Sequence, residues 1–305
     1  MLAIPLWIPV TVTAALFQGW RTAMQSKLRG LLSVNGAGFV RFLYGAPFAV
    51  LYLTLALVLT RSPFPAVSAP LFGFAALGGL FQILGTNLLI MAFGFRNFVV
   101  GSAYAKTEAM QTGLVALIVL HEQLPPLAWA GIAVGLAGVL TLSLAGRGLG
   151  GRALLAATFQ PAALCGLGAG FLLGTTGVFI KLATHFVHAR HLPVRALFVL
   201  ATMTLLQIVM QGAYLAWRDP EELRKSFRHW RQAAPVGLLS ASGSACWFTG
   251  FALTDVALVR ALGQIEVLFT LGFGRFYLKE RLKPSELAGM LLVGAGVLMV
   301  VAASG

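Results

Sequence analysis

Glu108 and Glu266 each lie in the middle of an apolar stretch, and each is followed fourteen residues later by another glutamate, Glu122 and Glu280. An ionised side chain at the centre of a bilayer costs roughly 2.5–3.5 kcal/mol on insertion scales, so such a group faces a protein interior or a watery cavity. A carboxylate in that setting can take up a proton or the cationic group of a solute, which makes a site whose charge switches. The other reading is a permanent ion pair that holds helices in register. Candidate partners are Arg41 and Arg195, near the starts of two other apolar stretches, Lys106 two residues before Glu108, and Arg260 closer to the membrane surface.

The surroundings of the two glutamates differ. Tyr104, Lys106, Thr107, Gln111 and Thr112 flank Glu108, and a continuous helix would put Tyr104, Glu108 and Gln111 on one face. The matching positions around Glu266 are Leu262 and Phe269. Solute binding is therefore expected mainly at Glu108, with Arg41 as its charge partner or a carboxylate anchor and Glu266 with Arg195 as the counterpart. Trp20, Tyr44 and Trp247 are expected to shape the cavity. Further polar groups within apolar stretches, among them Gln18, Gln25, Gln82, Asn87, Gln207, Gln211, Ser242 and Ser244, are read first as bonds between helices.

The elements that must position these groups are helices in a membrane. Hydrophobic residues make up 58% of the 305 residues and charged ones only 10%, against about 25% charged in soluble domains. Apolar runs of about twenty residues, the length that crosses the hydrocarbon, suggest ten spans at roughly 4–24, 34–59, 67–93, 98–120, 125–144, 160–182, 193–217, 233–253, 257–277 and 285–303. The first lacks the basic leader of a secretory signal and reads as a span. The expected fold is an all-α integral membrane protein.

The chain also repeats itself. Both glutamate pairs are related by one offset, 266 − 108 = 158 and 280 − 122 = 158, which also carries Leu120, Leu124, Pro126, Gly131, Gly138 and Val139 onto Leu278, Leu282, Pro284, Gly289, Gly296 and Val297. A weaker match at 154 places Lys27, Leu28, Val40 and Arg41 on Lys181, Leu182, Val194 and Arg195. Two five-helix halves, 1–148 and 149–305, follow. Internal repeats in so apolar a chain mark secondary transporters, whose solute site lies at the membrane midplane.

A net charge of +13 would suggest nucleic acid in a soluble protein. Here Lys and Arg concentrate in loops, at Lys27 and Arg29, Arg96, Arg147 and Arg152, Arg224 to Arg231, and Lys279 to Lys283, where they set orientation and meet anionic headgroups. No nucleic-acid partner is expected, and the charge bias places both termini outside. The segment from Arg218 to Arg231 reads as a short amphipathic surface helix with a solvated charge run. Cys165 and Cys246 read as packing residues, and the run from His185 to His191 as a loop without metal. Gly166, Gly170 and Gly174, and Gly131 and Gly135, form stripes that let helices approach closely. With no nucleophile and base pair, no phosphate-binding loop and no cofactor expected, pumping would have to draw on an ion gradient.

The segment Leu120-His121-Glu122 through Pro126, Gly131 and Gly138-Val139, with its copy Leu278-Lys279-Glu280 through Pro284, Gly289 and Gly296-Val297, resembles the Leu-Gly-Glu turn and glycine-rich last helix of the ten-helix, EamA-like branch of the drug/metabolite transporter superfamily. Arg41-Phe42 and Arg195 resemble the arginine opening the second helix of each repeat. The sequence departs from that pattern at Ala109 and Val267, where a proline is frequent, and at His121 and Lys279, which replace glycine. The resemblance implies two inverted five-helix repeats around a central cavity and a carrier of amino acids, metabolites, nucleotide sugars or drugs, often outward. The resulting expectation is a monomeric exporter of a small polar or zwitterionic solute in a bacterial inner membrane, exchanging it for protons at Glu108. An uncoupled facilitator whose charges are structural, or a membrane enzyme or lipid-handling protein, are the alternatives.

Overall fold

The computed structural model describes residues 4–28, 30–92, 104–144, 159–269 and 284–304. Arg29, Arg96, Arg147, Arg152 and the segment Leu278 to Lys283 lie outside the described residues, as does the side chain of Lys27.

Helices dominate: α1 Trp7–Leu28, α2 Val34–Leu43, α3 Ala46–Leu59, α4 Pro70–Ala92, α5 Glu108–Val119, α6 Pro126–Leu144, α7 Pro161–His185, α8 Leu192–Arg218, α9 Pro220–Arg228, α10 Trp230–Leu253, α11 Val256–Gly263 and α12 Pro284–Ala303. Among the described residues, Val34–Leu59, Pro70–Ala92, Pro161–His185, Leu192–Arg218 and Trp230–Leu253 are long and apolar enough to cross a membrane. Leu59, Ile118, Val209 and Leu298 are among many large apolar side chains left largely exposed, as a lipid-facing surface requires. One exception to the all-helical expectation is a two-residue antiparallel bridge, β1 Ala66–Val67 with β2 Val187–His188. It draws part of the histidine run out of the expected loop, with His188 bonded to Ser68 at 3.1 Å. No group of potential metal ligands occurs among the described residues.

The chain folds into two compact units, each drawn from both halves of the sequence. The first comprises residues 1–83 and 176–255, the second 84–175 and 256–305.

In the first unit α1 packs along α10, and α8 packs against α2, α3 and α10. The expected single span 34–59 is interrupted at Tyr44-Gly45. Gly237 of α10 abuts this break so closely that any side chain there would collide with Tyr44. Tyr44 also donates to the Ser226 carbonyl at 3.0 Å and packs on Leu28, Leu32, Val40 and Val236. The amphipathic helix expected around residues 218–231 forms as α9, with a surface pair Glu221–Lys225 at 3.2 Å. Its charge run is not wholly solvated: Glu222 is only 4% exposed and accepts from the Ser33 amide at the start of α2. An anion at a helix N-terminus satisfies amides that have no partner within the helix.

In the second unit the long contact is between α6 and α12. It is made by the repeated glycines. A methyl added at Gly131 would stand 2.8 Å from the Gly296 carbonyl, and one at Gly138 would stand 2.6 Å from the Val293 amide and 2.8 Å from the Gly289 carbonyl. Rising from 131 to 138 on α6 means falling from 296 to 289 on α12, so the helices run antiparallel. Since 131 + 158 = 289 and 138 + 158 = 296, each glycine meets the copy of the other, the pattern of a contact with local twofold symmetry.

Candidate functional site

The second unit holds the glutamate singled out by the sequence. The expected fourth span is not one helix, for its last helical residues before a turn are Tyr104 and Ala105, the turn is Lys106-Thr107, and α5 starts at Glu108. Side chains close this break. The Thr107 hydroxyl donates to the Tyr104 carbonyl at 2.6 Å and receives a bond from Gln111 Nε2 at 2.7 Å, while the Thr112 hydroxyl donates to the Glu108 carbonyl at 2.7 Å. The N-terminal part of α7 lies against it through Gly170, where an added methyl would sit 3.1 Å from the Ala105 carbonyl, and Gly174, where one would collide with Thr112. Two stripe glycines thus serve the close approach of α7 to a non-helical turn. Tyr104 does not share a continuous helical face with Glu108 and Gln111, because the turn re-aims the chain between them.

The ninth span is interrupted in the same way. α11 ends at Gly263, Gln264-Ile265 form a turn, and the chain is helical again from Glu266 to Phe269. The two turns stand at one repeat position, 264 − 106 = 158. At the other end of α11, Glu122 is 8% exposed and its Oε2 accepts from the Val256 amide at 3.0 Å, capping the helix.

Glu108 is paired with Arg260 of α11, at 2.8 Å between Oε1 and Nη1, with side chains 24% and 13% exposed. Nη2 of Arg260 donates to the Leu173 carbonyl at 3.0 Å. Although Oε1 lies within ion-pair distance, it receives no hydrogen bond of good geometry, and Gln111 Oε1 and Gln264 Nε2 are also buried without one among the described residues. The pair therefore sits among polar groups with hydrogen-bonding capacity to spare. Lys106 and Glu266 are half-buried at the two turns.

In the first unit, Arg41 is 8% exposed at the end of α2, its guanidinium 5.3 Å from the centre of the Phe42 ring. It lines a crevice of about 280 Å³, counting its open mouth, together with Gln82, Thr204, Gln207, Ser240 and Ser244.

Other expected site residues have structural tasks. Arg195 Nε donates to the Ala189 carbonyl at 2.5 Å at the foot of α8. Trp247 donates to Gln18 at 3.0 Å and stacks on Phe251, fastening α10 to α1. Trp20 is 51% exposed and lines no described crevice. Gln25 and Gln211 make the helix-to-helix bonds expected of them, to the carbonyls of Ala37 and Asn35.

The sequence named Arg260 only as a further possibility and did not name Gln264, Thr204 or Ser240. The spacing between Glu108 and Arg260 carries no signal of its own, since a long-range pair is set by how α5 and α11 cross.

Among curated proteins, none matches the chain. A solved structure described only as a crystal structure of a protein aligns over 98% of this chain and 99% of its own, with a TM-score of 0.74 and 16% sequence identity; a likeness at that identity speaks for the fold. Residues 160–302 match the model of the EamA-like transporter family. The apolar helices and this match identify a multi-pass membrane protein whose residues 160–302 are similar to the EamA-like transporter family.

Proposed function

We infer that this chain is a secondary carrier that moves a small polar or zwitterionic solute outward across a bacterial inner membrane in exchange for protons, working as a monomer through Glu108. The observation that carries the reading is the ion pair of Glu108 with Arg260 at 2.8 Å, on the first residue of a half-helix beside a half-buried turn. In transporters built from repeats, half-helix ends at interrupted spans bind solutes and coupling ions. A proton or an ammonium group arriving at Glu108 competes with Arg260. Gln111, Lys106 and Tyr104 belong to this site on our reading, with Glu266 at the equivalent turn.

The reading includes ten spans in two inverted five-helix repeats, 1–148 and 149–305. The antiparallel glycine contact of α6 with α12 and the two turns separated by one repeat length support it. An inverted repeat brings equivalent helices together with opposite direction.

A second reading has its own support in the same ion pair: if Glu108 and Arg260 never part, the chain is an uncoupled facilitator and the pair holds α5 against α11. Proton release on solute addition to purified protein in detergent separates the two, using a panel of amino acids, nucleobases and cationic drugs with wild type and Glu108→Gln. Release by wild type that is lost in Glu108→Gln supports exchange. Solute binding without release, unchanged in Glu108→Gln, refutes it in favour of the facilitator.

A further inference from the structure

The short helix α9 joins two spans, α8 and α10, each long and apolar enough to cross a membrane, so it lies at a membrane surface. Its inner face is tied down: buried Glu222 accepts from the Ser33 amide, Ser226 is buried, and the Ser226 carbonyl accepts from Tyr44 at 3.0 Å. Arg224, Phe227 and Arg228, at i, i+3 and i+4, share the opposite face, and all three are exposed. A Trp-Arg pair stands at each end of the helix, Trp217-Arg218 and Trp230-Arg231, with the tryptophans 80% and 52% exposed. The Arg231 guanidinium lies 5.4 Å from the centre of the Trp230 ring. Basic residues in this segment are Arg218, Arg224, Lys225, Arg228 and Arg231, and acidic ones Asp219, Glu221 and Glu222. The acids are occupied within the protein. Asp219 caps α9 by accepting from the Glu222 amide at 3.1 Å, Glu221 pairs with Lys225 at 3.2 Å, and Glu222 holds the start of α2. Among the described residues no ion pair or hydrogen bond engages the side chains of Arg218, Arg224 or Arg228.

Arginines without a protein partner, set beside exposed aromatic rings at a membrane surface, fit a ligand that is anionic and apolar at once. A soluble anion would match the charge and leave Phe227, Trp217 and Trp230 in water, whereas rings of this kind gain from the boundary between headgroups and acyl chains. A zwitterionic headgroup brings its phosphate already beside a cation of its own. We propose that the outer face of α9, with the two flanking Trp-Arg pairs, is a binding site for an anionic phospholipid. Arg224 and Arg228 hold its phosphate, and Phe227, Trp217 and Trp230 meet its glycerol and upper acyl-chain region. The guanidinium fork gives two parallel bonds to a phosphate. Because the inner face of α9 is fixed on α2, the outer one is presented in a set direction, which lowers the ordering cost of binding. Loop charge that only sets orientation needs no such rings.

The test uses the full chain reconstituted into phosphatidylcholine vesicles, with brominated phosphatidylglycerol or brominated phosphatidylcholine added in rising share. Bromine quenches tryptophan on contact, so the two curves give the relative affinity for the two lipids. Wild type should prefer phosphatidylglycerol at least about fivefold, the contribution of a single arginine near an anionic surface, and Trp217→Phe/Trp230→Phe should lose the excess quenching. Arg224→Gln/Arg228→Gln, at exposed positions, should bring the preference below about twofold. Arg61→Gln/Arg190→Gln removes two exposed charges beside the β1–β2 bridge, where Arg190 precedes the start of α8 while α9 follows its end, and should leave the preference unchanged. No preference in wild type overturns the proposal, as does a preference that both double variants reduce equally, which would assign it to net charge. Relief of the quenching by inorganic phosphate at constant ionic strength would assign the patch to a free anion and overturn the lipid. None of these residues belongs to the site at Glu108, so proton release tests that reading separately.

Discussion

Arg260→Met and Glu108→Gln, made singly and together, measure what the ion pair in the second unit contributes. Unit charges about 4 Å apart attract by about 4 kcal/mol at an effective dielectric constant near 20, and desolvation offsets much of that. With the side chains 24% and 13% exposed, a coupling of about 1–2 kcal/mol is the expected remainder. Arg260→Met loses the coupling, loses the bond to the Leu173 carbonyl at 3.0 Å, worth about 1 kcal/mol, and leaves a carboxylate short of its cation. Its expected cost is about 3 kcal/mol. Glu108→Gln keeps a carbonyl to which Arg260 can donate and should cost about 1–2 kcal/mol. Reversible unfolding in mixed micelles with a rising SDS fraction, followed by far-ultraviolet circular dichroism, gives the four free energies of the cycle. At about 2 °C per kcal/mol for a chain of this size, Arg260→Met should also melt about 6 °C lower. A coupling below about 0.5 kcal/mol would refute the claim that these two side chains recognise each other in the folded protein.

Gly138→Ala should destabilise by about 1–3 kcal/mol, because the methyl meets backbone at 2.6 and 2.8 Å, whereas Gly73→Ala, with nothing within 4 Å, should be neutral or slightly stabilising; thermal melting compares the pair. Glu222→Gln should cost about 1.5–3 kcal/mol by the same assay, since a buried charge-assisted bond to the Ser33 amide becomes a neutral one. Trp20→Ala, at an exposed position, should leave solute binding and proton release unchanged.

Most of the helices were legible in composition, because a bilayer sets the length of an apolar run. The repeat was legible too, since Glu108, Glu266 and the glycines recur at one spacing. What the sequence hid were the breaks. Lys106-Thr107 and Gln264-Ile265 contain neither glycine nor proline, so local propensity predicts a continuous helix. The first turn is closed by Thr107 and Gln111 side chains and by the approach of α7 at Gly170 and Gly174, which are tertiary facts. Glu222 was hidden for a similar reason. In a run with Arg224, Lys225 and Arg228 it reads as solvated charge, and only the placement of α9 against the start of α2 shows why one member is buried. Trp20 and Trp247 are alike in sequence terms, and separate only when one proves half exposed and the other to bond Gln18.

The crossed glycine contact constrains how the two halves can diverge. A larger residue at 131 is not accommodated by shrinking its own copy at 289; it collides with 296, the copy of 138. Substitutions that enlarge α6 at these positions meet the backbone of α12, at 296 for 131 and at 289 for 138, which no smaller residue there can relieve. Neither half can drift alone at these positions, so this seam should be the slowest part of the molecule to lose its likeness between halves, even where the residues around Glu108 and Glu266 have already become different in polarity.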